Sequence, residues 1–369
     1  MNEKNSIFII FSFVVALIIS YATTPLAQKL SFKIGAVDVP KDNRRMHKEP
    51  KALLGGLAIF YGFLISVLCF GDFFLPNGRL NMNLAGIVLG SVIMVILGVF
   101  DDIKPRSAWL KLLIQLIAAA IPVCLGVRVF AVTNPFTNVL ITLPIWVSYL
   151  GSIIWIAGVT NAVNLIDGLD GLAAGVSSIA AIALLSVLLI EHSFSITLLV
   201  MTAALAGACF GFLPYNFNPA KLFMGDTGAT FLGYILACIS IQGPFKTYVA
   251  FTVPLLVLGL PIFDTLFAII RRLLKGQPIM APDRGHLHHR LIDRGFSHKK
   301  TVIILYGLSA MLAISAIVML LTDITRALIL LVSVVIVGLF AFTLTSRTRD
   351  EADNNEEACE EKADEIEKQ

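Results

Sequence analysis

The chain has 369 residues, of which 57% are hydrophobic and 14% are charged, and its formal net charge at pH 7 is +3. Soluble domains carry about 25% charged residues, so this composition excludes an ordinary soluble protein. Long apolar stretches recur along the chain, and none shows the apolar–polar alternation of a membrane β-barrel strand. We therefore expect an all-α, polytopic helical membrane protein, because lipid-exposed backbone must satisfy its own hydrogen bonds.

About eleven transmembrane helices are predicted. The first apolar stretch is too long for a cleaved signal peptide, and no cleavage site of small residues follows it. The charged segment 347–369 is expected to be a disordered tail that follows an integral-membrane domain over 1–346. In chain order, the predicted helices cover residues 6–26, 53–75, 84–100, 109–125, 139–159, 172–190, 196–214, 229–241, 248–270, 302–321 and 326–345.

The basic residues predict an orientation for this bundle. All but five of the 28 lysines and arginines fall on one side, which the positive-inside rule makes cytoplasmic. The N-terminus is then outside and the C-terminus is in the cytoplasm. The cytoplasmic side comprises the tail and the loops 27–52, 101–111, 160–171, 215–228 and 271–301.

Every unusual polar motif falls in those same cytoplasmic loops. A transporter is expected to place polar groups along a path at the membrane midplane. Polar groups gathered at helix ends on one face instead favour an enzyme whose active site opens to the cytosol. A transporter and a non-catalytic lipid-binding protein remain the alternative classes.

The first motif is the acid pair Asp101–Asp102 in "GVFDDIKPRS". Adjacent carboxylates repel each other, and a hard cation such as Mg²⁺ stabilises both. The alternative is a solvated helix end with Lys104 and Arg106 as partners.

The second motif, "NAVNLIDGLDGLAAG", spaces amides and acids three residues apart. Asn161, Asn164 and Asp167 would share one face of a helix, as would Asp170 if the helix continued. The glycine after each aspartate indicates a loosened backbone that a ligand can approach. The alternative is a loop with Asx turns and a helix cap.

Two further acids stand in apolar surroundings. Asp226, in "FMGDTG", precedes an apolar stretch and can serve as a helix cap, a ligand, or both. Asp264, in "PIFDTLFAIIRR", lies inside the ninth predicted helix. An intramembrane acid is a functional hypothesis by default, although pairing with nearby Arg271 is an adequate structural explanation.

Two basic motifs complete the set. The segment "DRGHLHHR" interleaves arginines with histidines, which favours anionic oxygens over zinc because no cysteine stands beside it. A juxtamembrane loop touching anionic lipid is the alternative. Lys48 belongs to "DNRRMHKEPK", where a lipid phosphate or ordinary headgroup contact is expected. Carboxylates for Mg²⁺ beside basic groups for phosphates are the equipment of phosphoryl transfer.

Together, "DD", "NAVNLIDGLDGLAAG", "NPAKLFMGDTGA", "PIFDTLFAIIRR" and "DRGHLHHRL" resemble the polyprenyl-phosphate N-acetylhexosamine-1-phosphate transferases. The "HLHHRL" form is similar to the bacterial branch that uses UDP-N-acetylglucosamine (UDP-GlcNAc). The resemblance implies transfer of GlcNAc 1-phosphate to undecaprenyl phosphate in the cytoplasmic membrane, which begins the synthesis of teichoic acid, O-antigen or a related glycan. The alternatives are another UDP-N-acetylhexosamine or UDP-MurNAc-pentapeptide. Family members are often dimeric, so a homodimer is allowed, and no nucleic acid is expected as a partner.

The resemblance also implies roles for individual residues. Asp226 and Asn164 would bind Mg²⁺ (or Mn²⁺), Asp101 and Asp102 would serve metal binding or catalysis, and Asp167 would act as a base. Direct displacement is favoured over a covalent aspartyl intermediate, which stays open. The expected substrate-binding residues are Lys48, Asn161, Asp170, Arg284, His286, His288, His289 and Arg290.

Overall fold

A computed structural model describes residues 3–40, 49–74, 78–133, 139–191, 195–242, 249–274, 276–278, 285–321 and Val332. Within these residues the chain forms twelve helices and four very short strands, which confirms the all-α class. The helices are α1 (Glu3–Ile34), α2 (Gly55–Phe70), α3 (Met82–Ile103), α4 (Ala108–Cys124), α5 (Ile145–Ile166), α6 (Leu172–Glu191), α7 (Ile196–Asn216), α8 (Gly225–Gln242), α9 (Val249–Val257), α10 (Gly259–Leu274), α11 (Leu287–Asp293) and α12 (His298–Leu321).

The strands form two separate antiparallel pairs. In the first pair β1 (Val37–Asp38) lies beside β2 (Lys51–Ala52). In the second pair β3 (Ala131–Thr133) lies beside β4 (Leu140–Thr142). Each pair only ties together the ends of neighbouring helices, so the helices alone build the core.

Six of the helices are long and apolar enough to cross a membrane: α1, α3, α5, α6, α7 and α12. The shorter apolar helices α2 and α4 coincide with two more of the predicted segments. The chain is therefore a multi-pass membrane protein. The last predicted segment, 326–345, and the tail 347–369 lie outside the described residues apart from Val332. The count of eleven and the orientation of the termini stay predictions.

The ninth predicted segment is divided between α9 and α10. Pro261 has no N–H to donate to the carbonyl of Val257, four residues earlier, so the helix is interrupted between them. Beyond this break, α10 packs against α5 and α12. Sequence hydropathy could not detect this division because both halves are apolar.

Helix α8 lies at the centre of the bundle. All its residues from Thr227 to Ile241 are buried, and it contacts α2, α3, α5, α6 and α7. Small and apolar side chains cover its whole circumference, which is the composition of a helix enclosed on every side. Residues at the first turn of α8 are therefore held in a fixed position.

Two glycines bring the neighbouring helices against that first turn. A Cβ atom added at Gly98 of α3 would lie 2.3 Å from the Thr227 Cα atom, and one at Gly56 of α2 would lie 2.1 Å from the Gly228 nitrogen. Any larger residue would force the helices apart. The close approach of α3 carries the adjacent acid pair directly to Asp226.

Candidate active site

A cleft of about 580 Å³ opens at the end of the bundle where α3 and α5 finish and α8 and α12 begin. This size is typical of a site for a small molecule or cofactor. Its lining is dominated by acids and amides. The predicted site residues that line it are Asp101, Asp102, Asn164, Asp167, Asp170, Asp226 and His289, joined by Asp38, Asn216, Asn218, Asp293 and His298.

One side of the cleft, which we call the α3–α8 wall, consists of Asp101, Asp102, Lys111, Asp226 and Thr227. Asp102 accepts hydrogen bonds from the Asp226 N–H (2.8 Å), the Thr227 N–H (3.1 Å) and the Thr227 hydroxyl (2.6 Å). The positive end of α8 also stabilises this carboxylate. Asp102 therefore fixes the start of α8.

Lys111 of α4 supplies the cation of the α3–α8 wall. Its Nζ atom lies 2.9 Å from Asp101 Oδ2 and also donates to Asp226. The Arg106 backbone N–H donates to the other oxygen of Asp101 at 2.8 Å. The side chains of Lys104 and Arg106, the alternative partners expected from sequence, are exposed. Lys111 is closer in space because α4 packs back along α3.

The opposite side of the cleft, which we call the α5–α6 turn, runs from Asn164 to Gly171. Helix α5 ends at Ile166, and Gly171 adopts φ +80°, a conformation that favours glycine. The side chains of Asn164 and Asp167 accept no hydrogen bond from any residue that the structure describes. Both line the cleft, so their oxygens are available to a ligand.

Burial, together with the smaller effects of the negative charges of Asp226, Asp102 and Asp170, raises the pKa of Asp167 to about 8. The Asp167 carboxyl keeps partial contact with solvent through the cleft. A cation placed among these carboxylates would remove this penalty.

Asn161 lies one turn deeper in α5 than Asn164. Its amide nitrogen donates to Gln115 Oε1 at 2.7 Å and to the Ala157 carbonyl at 2.8 Å. It joins α5 to α4 and is not among the residues that line the cleft. The three-residue spacing in the sequence placed Asn161 on the same helical face as Asn164. The spacing could not show that Asn161 lies below the cleft, against α4.

Asp170 ties the α5–α6 turn to the segment before α8. Its carboxylate accepts from the Asn218 amide at 2.9 Å and from the Ala220 N–H at 3.0 Å. Its backbone N–H donates to His298 Nε2 at 2.8 Å. Asp170 is thus held in place at the rim of the cleft. It can contact a ligand only through the lone pairs of its carboxylate that Asn218 and Ala220 do not use.

The histidines of "HLHHR" occupy different environments. His286 and His288 are buried, and His289 lines the cleft. A Cβ atom at Gly168 would lie 2.3 Å from His288 Nε2, so the His288 ring sits directly on the α5–α6 turn. Burial, followed by the charge of His289, lowers the pKa of His288 to about 3 and keeps the ring neutral.

Arg290 is partly buried on α11 and is not among the residues that line the cleft. Lys48 and Arg284 lie outside the described residues. The neighbours of the site that sequence reasoning did not single out are Asp38, Lys111, Asn216, Asn218, Asp293 and His298. A signal existed for two of them: Lys111 is a lone charge at the start of an apolar stretch, and His298 falls in a histidine-rich loop.

The donor set of the cleft suits a hard cation. Among the described residues, no group of three or more histidine, cysteine, aspartate or glutamate side chains converges as a metal site. Mg²⁺, however, takes only one or two carboxylates and completes its shell with water and phosphate oxygens. The unpartnered oxygens of Asn164 and Asp167, facing Asp226 across the cleft, fit such a site.

Residues 84–244, which include most of the cleft, match the model of glycosyl transferase family 4. The chain is 40% identical over 321 residues to a probable undecaprenyl-phosphate N-acetylglucosaminyl 1-phosphate transferase of Bacillus subtilis, covering 86% of this chain and 87% of that protein. The chain belongs to the polyprenyl-phosphate N-acetylhexosamine-1-phosphate transferase family. This membership confirms the resemblance that the motifs indicated.

More distant members of the transferase family align over similar lengths. A decaprenyl-phosphate N-acetylglucosaminephosphotransferase of Mycolicibacterium smegmatis is 33% identical, over 79% of this chain and 77% of that protein. An undecaprenyl-phosphate α-N-acetylglucosaminyl 1-phosphate transferase of Salmonella typhi is 26% identical, over 78% and 77%. The similarity thus extends along the bundle and beyond the segment matched by the family model.

Proposed function

We propose that this protein transfers N-acetylglucosamine 1-phosphate from UDP-GlcNAc to undecaprenyl phosphate, releasing UMP. The observation that carries the proposal is the convergence of the separate acid motifs on one cleft, in a chain 40% identical to a relative named for this reaction. The product would be the first membrane-bound intermediate of a cell-envelope glycan. We place the cleft at the cytosolic face of the bacterial inner membrane because the basic loops flank it.

In the proposed reaction, an oxygen of the lipid phosphate forms a bond to the β-phosphorus of UDP-GlcNAc. The bond between that phosphorus and the bridging oxygen to the α-phosphate breaks, and its electron pair leaves with UMP. Direct displacement is favoured because the attacking phosphate is already anionic. A covalent intermediate on Asp101 or Asp102 would require that carboxylate to be released from its present hydrogen bonds, whereas one on Asp167 would not.

Asp226 and Asn164 would hold Mg²⁺, with Mn²⁺ as a substitute. When bound, the metal neutralises the two phosphates and makes the β-phosphorus more electrophilic. Lys111 holds the Asp226 carboxylate at the edge of the cleft and adds a positive charge beside the diphosphate. Asp102 keeps the start of α8 in place, so the metal ligand is positioned before substrate arrives.

Asp167 is proposed to accept a proton that remains on the lipid phosphate. Its place in the lining of the cleft suits this task, since a base must lie within hydrogen-bond reach of the proton it accepts. Its oxygens are free to receive the proton because no described residue donates a hydrogen bond to them. The adjacent Asn164 would meanwhile keep its amide oxygen toward the metal.

Basic and polar groups around the cleft are proposed to bind the substrates. His289, which lines the cleft, would contact the diphosphate, and Asp170 at the rim would contact the uridine. Arg290, together with Arg284, is proposed to contact the diphosphate. Lys48 is proposed to hold the phosphate of the lipid.

His286 and His288 are proposed to complete the sugar-nucleotide side. Because both are buried behind His289, they would act through the shape of this segment more than through exposed contacts. Asn161, bonded to Gln115, would likewise support the wall from behind.

The test is to incubate the purified protein in detergent with undecaprenyl phosphate, Mg²⁺ and each of several UDP-sugars, including UDP-MurNAc-pentapeptide. UMP release is the measurement, with omission of the lipid as the control. Lipid-dependent UMP release from UDP-GlcNAc is expected. UMP release from a different UDP-sugar would identify that sugar nucleotide as the donor substrate in place of UDP-GlcNAc. Flux of substrate across vesicle membranes without UMP release would show that the protein is a transporter and not a transferase.

A further inference from the structure

Asp264 is an acid in the apolar helix α10 to which the proposed reaction assigns no role. Its side chain is only 8% exposed, and it is not among the residues that line the cleft. Its Oδ2 atom lies 2.8 Å from Nδ1 of His286, whose side chain is 6% exposed. Its Oδ1 atom accepts the backbone N–H of Leu287 at 2.8 Å. Each carboxylate oxygen therefore holds one of two consecutive residues at the start of α11.

These two bonds fix both the backbone and the ring of His286. The residue adopts φ −61° and ψ 148° immediately before α11, and its own side chain makes no capping hydrogen bond. Asp264 provides that cap from a different helix. A carboxylate beside Nδ1 also favours the tautomer of the ring in which Nδ1 carries the proton. Nε2 then points away from Asp264.

The fixed ring is the first member of a contact series that ends at the cleft. His286 stacks parallel to His288 at 5.9 Å between centroids, and His288 contacts His289 at 4.2 Å. His288 rests on Gly168, which directly follows Asp167 in the α5–α6 turn, while His289 lines the cleft. The position of Asp264 is itself set by α10 packing against α5.

We infer that Asp264 is a positioning residue: through its bonds to His286 and Leu287 it sets the place of α11, and hence of His289, relative to the α5–α6 turn. This inference rests on the proposed function. Asp264 touches neither substrate nor metal in this role. Its carboxylate orients a histidine in the way that outer partners orient functional histidines in enzymes.

The decisive variant is Asp264→Asn, which keeps the shape of the side chain and an acceptor for the Leu287 N–H but removes the charge that faces His286. We expect kcat/KM for the sugar nucleotide to fall about 10- to 100-fold, the usual effect of losing such a partner. The loss should appear in a protein that still unfolds in a single cooperative transition, with a change in the ¹⁵N NMR signals of the His286 ring.

Thr265→Val is the matched control. Thr265 follows Asp264 in α10, and its buried hydroxyl has no partner among the described residues. The variant should retain wild-type kinetics, which separates the effect of Asp264 from general disturbance of α10.

Combination with His286→Asn tests whether Asp264 acts through the histidine. The double variant Asp264→Asn/His286→Asn should be no slower than the slower single variant, since both remove the same positioning. Losses that multiply would overturn the inference, as would wild-type kinetics for Asp264→Asn. If Asp264→Asn cannot be purified in folded form, His286→Asn alone decides: it removes the imidazole ring through which Asp264 acts, and wild-type kinetics would refute the positioning role.

The wild-type assay distinguishes the two levels of inference. If the wild-type protein releases no UMP from any donor, the proposed function fails. If the wild-type protein is active and Asp264→Asn matches it, only the role of Asp264 fails.

Discussion

The two sides of the cleft use the same residue type in opposite ways. On the α3–α8 wall, Asp102 accepts three hydrogen bonds and Asp101 is paired with Lys111. On the α5–α6 turn, Asp167 accepts none from the described residues, and its pKa is raised to about 8. The acids of the wall are satisfied by the protein itself. On the turn Asp170 is also bonded to the protein, whereas Asn164 and Asp167 require a ligand to satisfy their oxygens. Residues of the wall should therefore affect both folding and catalysis, and residues of the turn mainly catalysis.

Asp226 should give the largest effect because it faces the cleft from the wall and is the proposed metal ligand. Asp226→Asn should abolish transfer at ordinary Mg²⁺, a loss of about 1,000-fold in kcat. UMP release measured over a range of Mg²⁺ concentrations checks this. Asp72→Asn, an exposed acid just beyond the far end of α2, is the control. Near-normal turnover of Asp226→Asn would reject its metal role.

Asp167→Asn should separate activity from stability. Loss of a positioned base costs about 100-fold or more in rate. The folded protein should be no less stable, because asparagine cannot carry the charge that burial and the neighbouring carboxylates disfavour at this position. Initial rates and thermal unfolding of the same preparation are the measurements. A variant that is both active and unstable would reverse the distinction between the two sides of the cleft.

Asp102→Ala should show the opposite behaviour. Three donors at the start of α8 would lose their acceptor, and a buried unsatisfied donor costs about 1–3 kcal/mol. We expect a melting temperature several degrees lower than wild type, together with reduced activity. Thr227→Val removes one of the three bonds and should give a smaller decrease. An unchanged melting temperature for Asp102→Ala would contradict the conclusion that the hydrogen bonds of Asp102 stabilise the α3–α8 wall.

The smallest effect concerns pH. Because the pKa of Asp167 rises from 3.8 to about 8 on folding, the folded state holds more protons than the unfolded state between these values. Stability without metal should therefore fall as pH rises through 6 to 8. Thermal unfolding in EDTA across this range measures the slope, which Asp167→Asn should flatten. If wild type and Asp167→Asn show the same slope, the pH dependence of stability arises from another titratable group.

Much of the site was predictable because its residues are chemically unusual in this chain. Polar groups are costly in apolar surroundings, so Asp101, Asp167 and Asp226 were conspicuous in sequence. Lys111 was not singled out, although it is a lone charge in an apolar stretch, because Lys104 and Arg106 lie nearer to the acid pair in sequence. Only the packing of α4 along α3 selects it and leaves Lys104 and Arg106 exposed.

The sequence by itself determined that the chain is a helical membrane protein, since composition and segment length decide whether a helix is stable in lipid. It also determined which residues are reactive. The tertiary structure decided which of these residues meet: glycine contacts press α3 against α8, Asp264 reaches His286 from another helix, and Asn161 turns toward Gln115. Such contacts join residues far apart in the chain, and they depend on packing distances that no local pattern encodes.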